Sequence, residues 1–498
     1  MRMRWQPPFL ASRIRVAGFR PAFSIFWSIC LVQMLSGCIL GSEKPELAVD
    51  IPAAYRAGGP APNAALPSSD WWRGFRSREL TALVEEAQVA NLDIAAAVGR
   101  ILQADAQARI SGAPLLPILD LNADASRSRA SQSTGTSGAS SSRGPSERTS
   151  YNGFLAASYE IDFWGKNRAA WRAAEEAAVA SRFAHEVVQI TTVTSVANAY
   201  FQVLAAQDRL RVARNNEASA TRILELFRQR LQAGTASSLD IAQQESVVAT
   251  QRAAIPLLEQ QLRQNMHALA VLVGRSPEFV TIRGGSMSQI AIPRITPGLP
   301  SDLLLQRPDI REAEAQLASA NGDVEAARAA FFPSISLTGD GGYRSDTLKN
   351  LFTPEAAFFT VAGNLTQPIF DAGRLQGDLD LQHGRQQELL QLYRKAVVSA
   401  FADVENALVA VQQTARRERL QGEVVASSRR AFEISETRLR EGTIDLVTLL
   451  DTQQTLFQAE DALAQARLAH LQAIVSLFQA LGGSWAEKPA VVTANEAP

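Results

Sequence analysis

The chain has 498 residues, 46% of them hydrophobic and 20% charged, enough to bury a large folded body rather than remain disordered. Forty-nine basic residues face 50 acidic ones, which leaves no electrostatic case for nucleic acid. Its two cysteines, Cys30 and Cys38, both lie near the N-terminus, so the body has no disulfide framework and no thiolate metal site. The histidines (His185, His267, His383, His470) are scattered, and no nucleophile triad, phosphate loop or zinc spacing is present. Neither an enzyme nor a cofactor is expected.

Arg2, Arg4, Arg13, Arg15 and Arg20 precede an apolar run from Ala22 to Leu35. A basic stretch followed by a short apolar core reads as a secretory signal, residues 1–37, too short for a spanning helix. It ends in Leu35-Ser36-Gly37-Cys38, which resembles a bacterial lipobox. That resemblance implies cleavage before Cys38, which becomes the new N-terminus and takes a diacylglycerol on its thiol, with palmitate expected among its acyl chains. Cys30 is followed by more of the apolar core and lacks the small pair before it. Each buried methylene adds about 0.8 kcal/mol, so several acyl chains hold firmly to a bilayer. Residue 39 is Ile rather than Asp, which in such lipoproteins leaves the chain free to reach the outer membrane. The lipidated segment 38–70 is expected to be extended.

A first structural unit is expected over 71–285. Leu119, Leu121, Ala123 and Ala125 alternate with Asp120, Asn122, Asp124 and Ser126. After a polar loop, 130–149, Ala157, Tyr159, Ile161 and Phe163 alternate with Ser158, Glu160 and Asp162. This period of two predicts a strand pair within about 115–163. From Lys166 to Leu231 there is neither Pro nor Gly, and Ile190, Val193, Val196 and Tyr200 form a narrow apolar stripe. A helix of that length reaches about 100 Å, as a rod spanning the periplasm would. Arg230-Leu-Gln-Ala-Gly-Thr235 then breaks it at a tip over 230–239, and a second helix returns toward Gly274.

A second unit, 286–485, repeats the plan, with a tail at 486–498. Ile335 and Leu337 alternate with Ser336 and Thr338, and Phe359, Val361 and Leu365 with Thr360, Ala362, Asn364 and Thr366, within about 333–370. Val397, Phe401, Val404, Leu408 and Val411 continue as a helical stripe, though Gly377, Gly384 and Gly422 interrupt it. The tip lies at 438–447. Shifted by 208 residues, 159–277 falls on 367–485 without a gap: Gly165 on Gly373, Gly234-Thr235 on Gly442-Thr443, Gly274 on Gly482. This is a duplication rather than a short solenoid period.

Such strands suit a membrane barrel, though an ordinary half-buried sheet alternates in the same way. Four strands cannot close a barrel alone, so two chains would supply eight and three would supply twelve. With the apolar side toward lipid, Asp120, Asp124, Glu160, Asp162 and Asp340 would face a lumen that favours cations.

Several motifs, in order, carry a family resemblance: Asp70-Trp-Trp-Arg-Gly-Phe75 leading into Leu80-Thr-Ala-Leu-Val-Glu-Glu-Ala87, Gly298-Leu-Pro-Ser-Asp-Leu303, and Arg307-Pro-Asp-Ile-Arg-Glu-Ala-Glu314. Phe332-Pro333, Gln367-Pro-Ile-Phe-Asp-Ala-Gly-Arg374 and Leu449-Leu-Asp451 complete them. From the lipobox to about Trp485 the chain resembles the TolC-type outer-membrane factors, in the OprM and NodT-like lipoprotein branch. The resemblance implies a mainly α fold with a β-barrel portion: a homotrimer whose helices form an α-barrel below a 12-stranded β-barrel. It further implies a mixed belt built partly by 275–300, in the outer membrane of a Gram-negative bacterium. The function implied is passive export of drugs or other small molecules in a tripartite pump. The partners implied are a periplasmic adaptor (membrane fusion) protein, docked on the tips at Gly234, Thr235, Gly442 and Thr443, and an inner-membrane pump, here taken as proton-driven.

Carried over by position, Asp451 matches an acidic gate ring and Val447 an apolar one. Thr448 stands where TolC has a second Asp, Ile444 and Leu439 replace polar locking residues, and Gln454 replaces a base near the OprM gate. A protein-secretion duct of the same architecture, or an envelope-spanning lipoprotein without a pore, are the alternative functions.

Overall fold

The computed structural model describes residues 47, 52, 55, 56, 70–129, 147–293 and 307–483. They belong to the unit Lys44–Pro498; Met1–Glu43 is a separate unit and lies outside the described residues, with the leader and Cys38. The Gly298–Leu303 motif, the loop 130–146 and the tail 486–498 also lie outside them.

Helix α1 (Arg78–Ala90) starts where Ser77 Oγ accepts the Leu80 N–H, and α2 (Leu92–Gly112) where Asn91 Oδ1 accepts those of Asp93 and Ile94. Each side chain satisfies donors that the first helical turn leaves open. Strands β1 (Ile118–Arg129) and β2 (Glu147–Ile161) follow, then α3 (Lys166–Gln232) and α4 (Ser238–Leu272). The second copy is α5 (Pro308–Ala329), β3 (Ser334–Ser345), β4 (Ala357–Thr366), α6 (Arg374–Arg440) and α7 (Leu446–Ala480). Among the described residues no helix is long and apolar enough to cross a membrane.

Helices α3 and α6 have 67 residues each, α4 and α7 have 35, and both pairs are offset by the same 208 positions. The duplication also runs upstream of that gapless match. Leu92 to Pro308 and Ile118 to Ser334 are each an offset of 216, so the strand hairpin absorbs eight residues. Helix α6 continues through Gly377, Gly384 and Gly422, each with open space where a Cβ would stand. Their cost of about 1 kcal/mol apiece relative to Ala is outweighed by packing along the rest of the helix.

The main core joins the two hairpins to the N-terminal motif. Trp71, Phe75 and Leu80 pack with Val196 and Phe201 of α3 and with Leu471, Ile474 and Phe478 of α7. Trp71 stacks on Phe478 at 4.6 Å, and Phe75 meets Phe201 edge-on at 5.0 Å. The Asp70–Phe75 motif is thus a wedge between α3 and α7. Farther upstream, Tyr55 packs with Val404, Ala407 and Leu477.

The belt expected over 275–300 is described to Pro293, and that part holds two 3-10 turns, Pro277–Phe279 and Met287–Gln289, rather than strands. Gly284 and Gly285 take φ of 70° and 149°, a backbone that bends away from sheet pairing. Side chains bind its peptide groups instead: Glu79 Oε1 accepts from Arg283 N at 2.8 Å, Asp208 Oδ2 from Met287 N at 2.9 Å, and Arg467 Nε donates to Met287 O at 2.8 Å. Tyr200 OH donates to Glu79, and burial pushes that phenol up to about 12.

Candidate functional site

The four strands form one antiparallel sheet in the order β1-β2-β3-β4. Register places Asp120 opposite Ala156, Ala156 opposite Asp340, and Asp340 opposite Thr360. Because side chains alternate along a strand, Asp120, Asp124, Glu160 and Asp340 share one face with Asn152, Thr360 and Asn364. The opposite face carries Leu119, Leu121, Leu155, Leu337, Phe359, Val361 and Leu365, all exposed. β1 and β4 each keep an unpaired edge.

Asp162 does not belong to that polar row. β2 ends at Ile161, and Asp162 caps the next helix: Oδ1 accepts from Asn167 N at 3.0 Å and Oδ2 from Arg168 N at 2.9 Å. Its side chain is almost buried beside Arg168. Alternation predicted the parity of Asp162 without showing where the strand stops. Asp371 plays the same part before α6, bonding Gly373 N and Leu375 N, which hold its carboxyl below the usual range.

The polar face is not uniformly acidic. Lys166 Nζ pairs with Glu160 at 2.6 Å. Arg344 donates to Asn152 at 2.9 Å, and Asn152 to Asp124 at 2.8 Å. One row along, Phe154 and Phe358 meet at 6.0 Å across Gly342, with the Arg344 guanidinium 4.8 Å over the Phe358 ring. Strand parity puts Arg344 and the aromatic pair on the same face as the acids.

At the other end, both long helices close in the same turn. Gly234 and Gly442 take φ of 73° and 74°. Thr235 N donates to Arg230 O at 2.8 Å and Thr443 N to Arg438 O at 2.9 Å, while each threonine hydroxyl bonds the same carbonyl. These are Schellman turns. The returning helices are then capped at matching positions with exchanged chemistry. Ser237 Oγ accepts from Asp240 N, and 208 residues on Asp445 accepts from Thr448 N and Oγ1. Thr448 therefore serves the cap.

Val447 is 60% exposed, and Asp451, one turn on, is exposed too. Behind them Leu446, Leu449, Leu456 and Phe457 bury against Leu439, Phe432, Ile223 and Phe227, with Ile444 alongside. Leu439 and Ile444 thus belong to an apolar tip core. The position matching Asp451 in the first copy is Gln243, so only the second hairpin presents a carboxylate there.

The outer membrane efflux protein family matches residues 83–275 and 299–483, one stretch in each copy. The chain belongs to that family. It is 40% identical to the pyoverdine export outer membrane protein OpmQ of Pseudomonas aeruginosa, over 91% of this chain and 97% of OpmQ. To the toluene efflux pump outer membrane protein TtgF of Pseudomonas putida it is 32% identical, over 92% and 97%. The open-state MtrE outer membrane channel of Neisseria gonorrhoeae aligns with a TM-score of 0.79 at 29% identity, covering 89% of this chain and 97% of that one. The four-stranded sheet and the paired long helices of this efflux protein are accordingly the parts of a channel fold.

A further contact joins the two tips of this efflux protein. Arg230 Nη2 donates to Leu439 O at 2.6 Å and to Arg440 O at 3.2 Å, carbonyls of the last turn of α6; Leu439 O also accepts the Gly442 N–H at 3.1 Å. Its acceptors are more than 200 positions away, so spacing along the sequence does not disclose the contact.

Proposed function

We propose that the protein is the outer-membrane duct of a tripartite efflux pump, a homotrimer that conducts small molecules passively from the periplasm outward. The observation that carries this reading is the sheet: two open edges and an exposed apolar face, on a chain whose helices run for about 100 Å. An edge strand of 12 residues left unpaired invites another strand. Three copies close twelve strands with the apolar face toward lipid and the polar face around water. Cys38, outside the described residues, carries the lipid anchor in this reading, and no cofactor is used. Purified protein should run as a trimer by native mass and form discrete channels in planar bilayers. An intact acylated trimer that never conducts would instead point to an envelope spacer.

The lumen should prefer cations, but less than a count of acids suggests. Glu160 is paired by Lys166, and Asp124 is linked through Asn152 to Arg344. Asp120 and Asp340, two strands apart in one row, remain as unpaired acids, partly offset by Arg148 nearer the hairpin end of the same face. Replacing both by Asn should move the reversal potential toward zero, whereas Glu160→Gln changes it little. Anion preference in the unaltered protein sinks the assignment.

The periplasmic adaptor docks on the turns at Gly234, Thr235, Gly442 and Thr443. No atom lies within 4 Å of the Cβ position at Gly442, so a side chain there projects into open space. The left-handed backbone adds about 1–2 kcal/mol of local strain, well below the stability of a large domain. Gly442→Trp should leave the trimer intact and abolish efflux in cells. Normal efflux by that variant would rule out docking at this turn. An inner-membrane pump supplies the energy, and we take it to be proton-driven; drug efflux that collapses with the proton gradient tests that choice.

A further inference from the structure

The two hairpins of one chain are images of each other at an offset of 208, and one contact between them is strictly directional. Arg230, at the end of α3, reaches the carbonyls of Leu439 and Arg440 at the end of α6, the first of them alongside the Gly442 N–H that it already accepts. Under the offset, Arg230 becomes Arg438, and Leu439 and Arg440 become Leu231 and Gln232. Within one chain this image contact is not made: Arg438 is exposed, and its guanidinium has no partner among the described residues. The side chain and the acceptor carbonyls thus sit at opposite ends of the series of hairpins in a single copy.

We propose that Arg438 donates to the Leu231 and Gln232 carbonyls of a second copy of this chain, repeating between copies the bond that Arg230 makes within one. The proposal rests on the shared-barrel reading above. When hairpins alternate around a ring, first copy to second and second to first of the next chain, the directional contact recurs at every junction. Arg438 is then a positioning residue that joins neighbouring tips, as Arg230 joins tips within a chain. The two junctions differ in their apolar support. Ile223 and Phe227 pack against the second hairpin, whereas their images, Ala431 and Ser435, are small. The junction between copies therefore depends more on the arginine than the junction within a chain does.

Two cysteine pairs test it in the full-length detergent-extracted protein with a short bismaleimide. The control pair, Arg230→Cys with Arg440→Cys, should link within one chain and leave the denatured mass unchanged. Its image, Arg438→Cys with Gln232→Cys, should convert most of the chain to covalent dimer and trimer, with neither single variant doing so. If the control pair links and native mass shows a trimer, yet the image pair stays monomeric, the inference fails while the duct reading stands. If native mass shows a monomer, the shared barrel fails and the inference falls with it.

Discussion

Asp451→Ala should raise single-channel conductance several-fold over the unaltered protein, the largest functional change expected from any single substitution here. Asp451 and Val447 are the exposed outer faces of the first two turns of α7, with a buried tip core directly behind them. In a trimer the three carboxylates converge at one level. At about 8 Å apart they repel by roughly 0.5–2 kcal/mol per pair, depending on how much water screens them. The tip core opposes that repulsion. Truncation to Ala removes both the width and the charge of the ring. Asp451→Asn separates the two, keeping the width while removing the charge, and should stay near the unaltered conductance. Gln243→Ala, at the matching place in the first hairpin, should change little because that hairpin has no carboxylate to lose. Equal conductance for Asp451→Ala and the unaltered protein, with both trimeric, would remove Asp451 from the gate.

Gly342→Val should eliminate the assembled channel altogether. Gly342 lies in β3 between Phe154 and Phe358, and any Cβ there overlaps the Gly153 carbonyl and the Phe154 backbone. The obstruction includes backbone of the neighbouring strand, so no rotamer change relieves it. Separating β2 from β3 leaves their peptide groups unpaired in a wall where each such group costs several kcal/mol. Gly363→Val in β4 is the comparison, since its Cβ would stand at an ordinary 3.5 Å from Leu337. A monomeric native mass for Gly342→Val and a trimeric one for Gly363→Val is the expected result. Normal trimer in both would mean that the sheet yields at that row.

The long helices were legible before any coordinates because helix formation is local. The gap-free run from Lys166 to Leu231 and the glycine after it describe α3 and its turn almost to the residue. The polar face of the sheet was legible through parity, yet its electrostatics were not. Glu160 and Lys166 are six positions apart, and only the bend from strand to helix brings them together. Asp162 failed for a related reason: alternation does not announce its own end, and the Asn167 and Arg168 peptide groups had the stronger claim on that carboxylate. The belt was unreadable as turns because Glu79 and Asp208, far away in sequence, satisfy its backbone.

By itself the sequence determined what depends on neighbours along the chain: the helical period, the strand alternation, the two glycine turns and the 208-residue duplication. Tertiary structure alone decided which copies of those elements meet. The wedge of Trp71 against Phe478, the row joining Asp120 to Asp340 and the reach of Arg230 to Leu439 all join segments about 200 or more positions apart. Spacing along a chain carries no information about such distances, because the direction in which each rod packs is set by burial across the whole fold.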